Sequence, residues 1–368
     1  MFKKFLSVAL VGVMVASMTA CGGSTSTGAS AAPAEKAEAV SEAPAEEAPA
    51  KPEAESEAAS EGAASTDEAI SAVAADTEGL DVKNLTLAYV PTTMNNPFWS
   101  AMMGGIKDEM KALGMDPETQ LVTVDADSDQ AKMNNFVYDL INQKVDAVIL
   151  APMDTTAVTE ALQACADAKI PVINVDTPVD RNDLVESIVA SDNYTAGVLC
   201  AQDMLEKLDP GSKVYIMNQP SGAACVQREQ GFRDTVGDTF EIVGTSDTEG
   251  DTATTLPVAE DAITADADLG AFFCINDMGA LGCVQAAAAA GRNDILIYGV
   301  DGNPDFMGYV KDGSATASAA QQPSVIGSTA VDEAINAING KTVDKEVVVP
   351  VELITGENIS NYDISDWQ

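Results

Sequence analysis

Asn96, Phe98, Trp99, Asp176, Arg228, Asn276, Asp301 and Gln321 are the side chains of this 368-residue sequence whose types and positions could do chemistry together. Asn96 and its two aromatics follow an apolar run at 85–90, and Asp176 follows one at 170–175. Asn276 follows the run at 270–275, Asp301 the run at 295–300 and Gln321 the run at 314–320, while Arg228 falls in the first turns of an amphipathic stretch. Taken singly, Asn96 or Asp176 could be a helix or turn cap and Arg228 a surface ion pair. Together they suit a polyol. Amides and carboxylates exchange hydrogen bonds with hydroxyls, a guanidinium offers a rigid fork, and an aromatic face covers the apolar C–H side of a ring. Two carboxylates against one arginine leave the set at about −1, which repels phosphate or carboxylate ligands and favours a neutral sugar.

Composition removes several other chemistries. The chain has no histidine, so Ser-His-Asp and Cys-His catalysis and His-based metal sites are not possible. Asp125, Asp127 and Asp129 have the spacing of a calcium loop, but Gln130 and Phe136 stand where the turn glycine and the bidentate glutamate belong. Gly340-Lys341-Thr342 follows a helical stretch instead of opening one, so it reads as a helix stop and not a phosphate loop. No catalytic residue, metal or cofactor is expected. A formal charge of −39 excludes a nucleic-acid partner held through its phosphates.

The segments that must position these residues alternate strictly. Apolar runs of four to seven residues, too short for helices, are separated by helical periodicities, as in 97–113, 129–143, 155–168 and 324–339. Unbroken apolar strands between helices predict parallel sheets covered on both faces. The rhythm breaks at Ala190-Ser191-Asp192-Asn193 and starts afresh, which gives an α/β fold of two doubly wound, Rossmann-like domains. Ligands lie beyond the C-terminal ends of such strands, so the site is expected in a cleft between the two. A helix at 252–265 is expected to be irregular at Pro257, and a last strand is expected at 347–353.

The amino-terminal part is of another kind. Residues 1–20 carry Lys3 and Lys4, an apolar run and small residues before Cys21, which makes them a secretory signal. The sequence around Ser17-Met18-Thr19-Ala20-Cys21 resembles a bacterial lipobox, making Cys21 the expected lipidation (palmitate) site. Residues 21–82 are rich in Ala, Glu, Ser and Pro, with 14 acidic residues between Gly22 and Val82 against Lys36 and Lys51, and read as a disordered, extended tether. Attachment to the membrane is therefore expected through the lipid alone. The other five cysteines include no CxxC pair and read chiefly as small buried hydrophobes, with any single pairing left open.

Asn95-Asn96-Pro97-Phe98-Trp99, Val175-Asp176, Ser191-Asp192-Asn193, Arg228-Glu229-Gln230-Gly231-Phe232, Asn276-Asp277-Met278-Gly279-Ala280-Leu281-Gly282, Gly299-Val300-Asp301-Gly302 and Ala320-Gln321 resemble the type I periplasmic sugar-binding proteins, the ribose- and galactose-binding group that serves ABC importers. The resemblance implies three hinge crossings, near Ala190, Gln321 and Val349. It also implies an amino-terminal lobe of 83–190 plus 322–349 and a carboxy-terminal lobe of 191–321 plus 350–368. It implies that Asn96, Asp176, Arg228, Asn276, Asp301 and Gln321 hydrogen-bond the sugar and that Phe98 and Trp99 stack on it. Thr177 stands where ribose binders carry a second arginine, and Gly250 or a neighbour where they carry another aromatic, which implies a roomier pocket for a hexose or other polyol. The expected protein is a monomeric, lipid-anchored receptor on the outer face of the bacterial cytoplasmic membrane. It would deliver a neutral monosaccharide to a permease and its ATPase. The alternative is a sensor that shows its closed form to a chemoreceptor or sensor-kinase ectodomain.

Overall fold

The computed structural model describes residues 73–367, all within one compact unit, Ser60–Gln368. The signal, the lipidation site at Cys21 and most of the tether lie outside the described residues. Two six-stranded sheets organise the rest. The first contains β1 (Leu87–Val90), β2 (Leu121–Thr123), β3 (Ala147–Leu150), β4 (Val172–Val175), β5 (Ser187–Ser191) and β11 (Glu346–Val349), in the order β2-β1-β3-β4-β5-β11, all parallel. The second contains β6 (Lys213–Asn218), β7 (Glu241–Asp247), β8 (Leu269–Cys274), β9 (Leu296–Asp301), β10 (Ala317–Ala320) and β12 (Glu352–Thr355), in the order β7-β6-β8-β9-β10-β12, with only β12 antiparallel.

Period-two geometry explains why the strands are apolar throughout. On β1, Leu87 and Tyr89 enter one core while Ala88 and Val90 enter the core on the opposite face. Helices cover both faces. The first lobe uses α1 (Pro97–Ala112), the short α2 (Pro117–Gln120), α3 (Gln130–Gln143), α4 (Thr159–Ala168) and α10 (Pro323–Ile338). The second uses α5 (Asn193–Lys207), α6 (Ala223–Val236), α7 (Thr252–Ala265), α8 (Asp277–Ala290) and α9 (Pro304–Asp312). In each sheet the strand order reverses beside the first strand, between β1 and β3 and again between β6 and β8, and at such switch points loops part to leave a crevice.

The chain passes between lobes from β5 to α5, from β10 to α10 and from β11 to β12. These passages are bound to one another: the Asp192 N–H donates to the Val349 carbonyl at 3.0 Å, and Gln322 Nε2 to the Pro350 carbonyl at 3.2 Å.

Several local expectations differ from the structure. The single strand expected at 347–353 is two strands in different sheets, because Pro350 has no N–H to continue the ladder. Strand β2 begins only at Leu121, since Asp116 caps Pro117–Gln120 into a helical turn just before it. The helix expected at 155–168 starts only at Thr159, because Asp154 caps the turn before it through the Thr156 and Ala157 N–H groups. Helix α7 runs unbroken through Pro257, whose ring lies on the exposed face where water can satisfy the freed carbonyl. Residues 73–82, placed by composition in the tether, are docked. Val73, Ala75, Leu80 and Val82 pack on the first lobe's core, the Asp76 N–H donates to Asn336 Oδ1 at 2.8 Å, and Lys341 pairs with Asp76 at 2.7 Å. Finally, Trp367 packs with the first lobe's core, although residues 350–368 were assigned to the second.

Candidate functional site

A cavity of about 610 Å³ opens where the strand ends of the two lobes face each other, and all eight sequence-nominated residues line it. From the first lobe come Asn96, Phe98, Trp99 and Asp176. Asn96 is the N-cap of α1, its Oδ1 accepting the Phe98 N–H at 3.0 Å, and Pro97 needs no partner at the first helical position. That cap sets the two following rings against the cavity. Phe98 and Trp99 meet edge to face, centroids 5.0 Å apart, with exposures of only 3% and 6%.

Asp176 follows β4 in a left-handed conformation, φ 64°. The turn is held by the buried Asn174, which donates to the carbonyls of Leu150 and Thr177 and accepts the Val179 N–H. Among the described residues, the Asp176 carboxylate receives only the Thr177 hydroxyl, at 2.8 Å on Oδ2. Burial raises its pKa, opposed by Arg228 and by that hydroxyl.

From the second lobe, Arg228 on α6 is 4% exposed and braced on two sides. Nε donates to Asn193 Oδ1 and Nη1 to the Ile275 carbonyl, both at 2.8 Å, and Nη1 stands 3.6 Å from Asp301 Oδ1. Asn193 begins α5 and donates to the Ser191 carbonyl, so the guanidinium is anchored on a lobe crossing. Asn276 caps α8: Oδ1 accepts the Gly279 N–H at 2.8 Å and Nδ2 donates to the Gly250 carbonyl at 2.9 Å. Much of its hydrogen-bonding capacity is thus used within the protein. Gly250 leaves no room for a side chain, because a Cβ there would lie 2.7 Å from Asn276 Nδ2.

Asp301 and Gln321 form the floor. Gln321 Nε2 donates to Asp301 Oδ1 at 2.7 Å, and Gln321 Oε1 is buried without a hydrogen-bond partner among the described residues. Burial pushes the Asp301 carboxyl up to about 7 despite Arg228 and Gln321 beside it. The set is therefore nearer to neutral than the formal −1 count.

Asp277, which the sequence places beside Asn276 at a strand end but outside the eight nominated residues, supports this floor. Asp277 is fully buried and accepts the Asn303 N–H at 2.7 Å and the Ser318 hydroxyl at 2.8 Å, while that same hydroxyl accepts the Gly302 N–H. It holds the turn in which Asp301 sits at φ 140°. A Cβ on Gly299 would come within 2.1 Å of Asp277 Oδ1, so the close approach requires glycine there. Gln219, Cys225, Asp247 and Glu249 also line the cavity. Gln219 and Asp247 stand at the ends of β6 and β7, so the strand-end rule could have found them. Cys225 had no such signal; burial pushes its thiol up to about 12. Cys274 and Cys283 are adjacent buried thiols, 3.5 Å apart.

Two α/β lobes that enclose a polar, aromatic-walled cavity at their facing strand ends define a bilobed solute-binding protein. The sequence pattern of the periplasmic binding protein domain matches residues 87–342, and the chain belongs to that family, whose members bind solutes for ABC importers and are not enzymes. The chain is 34% identical over 274 residues to the ribose import binding protein of Bacillus subtilis (strain 168), covering 74% of this chain and 88% of the relative. A solute-binding protein from Mycobacterium smegmatis, solved with bound glycerol, superposes with a TM-score of 0.71 at 29% identity, covering 75% of this chain and 96% of that one. One from Actinobacillus succinogenes 130z, solved with bound D-allose, does so with a TM-score of 0.71 at 26% identity, covering 76% and 100%.

Proposed function

We propose that this protein captures a neutral monosaccharide or related polyol between its lobes and delivers it to an ABC permease with its ATPase, as a monomer tethered outside the cell by a lipid on Cys21. The observation that carries the ligand class is the cavity lining. Arg228 lies beside Asp301, Gln321 offers an unpartnered buried carbonyl, and Phe98 and Trp99 form an apolar wall across from them. Hydroxyls supply the donors and acceptors that this floor needs, and a ring's C–H face suits the wall. The volume falls within the ~300–1,000 Å³ of small-molecule clefts. Relatives named for ribose and D-allose support the same class.

Asn96, Asp176, Arg228, Asn276, Asp301 and Gln321 are the proposed polar contacts. Arg228 is also the residue through which binding would be felt at the hinge, since Asn193 and Ser191 lie beneath it. Thr177, where ribose binders carry an arginine, leaves Asp176 with no cation in direct contact and more room, which favours a hexose or cyclitol over ribose. Isothermal titration against D-ribose, D-allose, D-galactose and myo-inositol is the deciding experiment. Saturable heat with at least one is expected; silence with every neutral sugar, alongside binding of an amino acid or nucleoside, overturns the reading.

A further inference from the structure

The chain has two tryptophans, and both lie against one side chain, Phe98. Trp99 meets it at 5.0 Å. Trp367, more than 260 positions later in the sequence, meets it edge to face with centroids 5.7 Å apart and planes at 73°.

The route by which Trp367 arrives matters as much as the contact. Beyond β12 the chain is fastened to the second lobe: Asn358 Nδ2 donates to the Leu353 carbonyl at 2.9 Å, and the Tyr362 hydroxyl to Glu352 Oε2 at 2.8 Å. Ile359 is buried in that lobe's core, with Tyr362 and Ile364 packed against it. Three residues after Ile364, Trp367 is packed against the core of the first lobe. The segment 356–367 therefore spans the lobes as a fourth link, in addition to the three crossings of the strands and helices.

We propose that Trp367 is a positioning residue for ligand binding: it sets the Phe98 ring from behind and ties that setting to the position of the second lobe. Phe98 follows the Asn96 cap at the first turn of α1, where no preceding helical turn backs it, so its ring depends on neighbours for its orientation. One edge contact comes from Trp99, which shares the cavity wall. The other comes from a residue whose own anchor is on the opposite lobe. Hinge movement consequently reaches the aromatic wall directly, as well as through the polar floor. The affinity consequence rests on the sugar-binding reading; the packing consequence does not.

The test uses the full chain with Trp367→Ala, Trp367→Leu and Trp367→Phe. Titration with D-ribose, D-allose, D-galactose and myo-inositol is expected to show affinity weakened about two- to tenfold in the alanine and leucine variants and returned to within about twofold of the parent by phenylalanine. Leucine fills space but presents no ring edge, so a leucine variant that binds as well as the parent reduces Trp367 to a filler and overturns the proposal. Hydrogen exchange on the unliganded protein is the second arm. Amides of residues 98–102 are expected to exchange faster in Trp367→Ala and at the parent rate in Trp367→Phe; no change in the alanine variant also overturns it. If none of the four sugars binds but exchange shifts as expected, the sugar reading fails while Trp367 keeps its positioning role.

Discussion

Arg228 and Asp301 are each tied to several neighbours, so removing either leaves buried groups without partners. Arg228→Ala strips Asn193 Oδ1 and the Ile275 carbonyl of their donor, and Asp301→Ala strips Gln321 Nε2 of its acceptor. Each change also removes a proposed sugar contact, and an unpaired buried polar group costs about 1–3 kcal/mol. We therefore expect each variant to lose at least tenfold in sugar affinity by titration calorimetry; unchanged affinity in both would place the site elsewhere. The Asp301 carboxyl also predicts a proton linkage. It titrates at about 7 because burial outweighs Arg228 and Gln321. Sugar hydroxyls donate to the charged form and so bring the pKa down, which means the complex holds fewer protons than the free protein near pH 7. Affinity should rise as pH increases through 7, with proton release on binding. Paired titrations with D-allose in phosphate and Tris at pH 7 measure that release, and proton uptake would contradict it. Seven of the eight cavity residues were legible because each lies at or just beyond a strand end or in the first turn of a helix, where the chain order alone fixes the side of the sheet; Arg228, the sixth residue of α6, was legible as part of the early turns of that helix. The role of Asp277 was not, because its partners Asn303, just beyond β9, and Ser318, within β10, lie 26 and 41 positions later and meet it only in space.

The helix pairs that carry the cavity walls cross at closest approach through glycine. In the first lobe, a Cβ on Gly105 of α1 would lie 2.0 Å from the Ser324 carbonyl oxygen of α10, and one on Gly327 would lie 2.2 Å from the Met102 oxygen. The second lobe repeats the arrangement, with Gly197 of α5 against Arg228 of α6 and Gly231 against Tyr194. Both pairs join a helix that opens a lobe to one that bears or supports site residues, so a forced separation would displace Phe98 or Arg228. Overpacking of this kind costs about 1–3 kcal/mol. The comparison Gly105→Ala with Gly104→Ala isolates the effect within one helix: a Cβ on Gly104 meets nothing within 4 Å. Thermal unfolding should show a lower midpoint for Gly105→Ala and an equal or higher one for Gly104→Ala, since alanine stabilises an unobstructed helical site by ~0.5–1 kcal/mol. Equal midpoints for the two variants would mean the helices can part without loss. At this scale most strands and helices were legible, because apolar runs bounded by caps are local signals. Where the expectation slipped, the deciding partner was distant. Residues 73–82 carry five apolar side chains among acidic ones, too dilute to read, and dock on α10 some 260 positions away. The end of β11 was hidden because Val347 to Leu353 keeps its apolar pattern while changing sheets at Pro350.

Closure between the lobes follows from how the polar floor is mounted. Asp176 belongs to the first lobe and Arg228 and Asp301 to the second, while Gln321 sits on the crossing between β10 and α10. A sugar held by all four links both lobes and the hinge, and favours whichever lobe arrangement brings them to hydrogen-bond distance together. The crossings are also mutually bound, Asp192 to Val349 and Gln322 to Pro350, so the three move as one hinge and not as independent linkers. Ligand should therefore act by rotating rigid lobes, leaving each sheet and its cores intact. Small-angle scattering on the unlipidated protein, with and without saturating D-allose or whichever sugar of the panel binds, should show a smaller radius of gyration and a shorter maximum dimension in the complex. Far-ultraviolet circular dichroism should be unchanged between the two states. Compaction accompanied by a change in helix content would indicate folding on binding. Tight binding with no compaction would mean that the sugar is held within an already closed cavity and that the hinge has no part in capture.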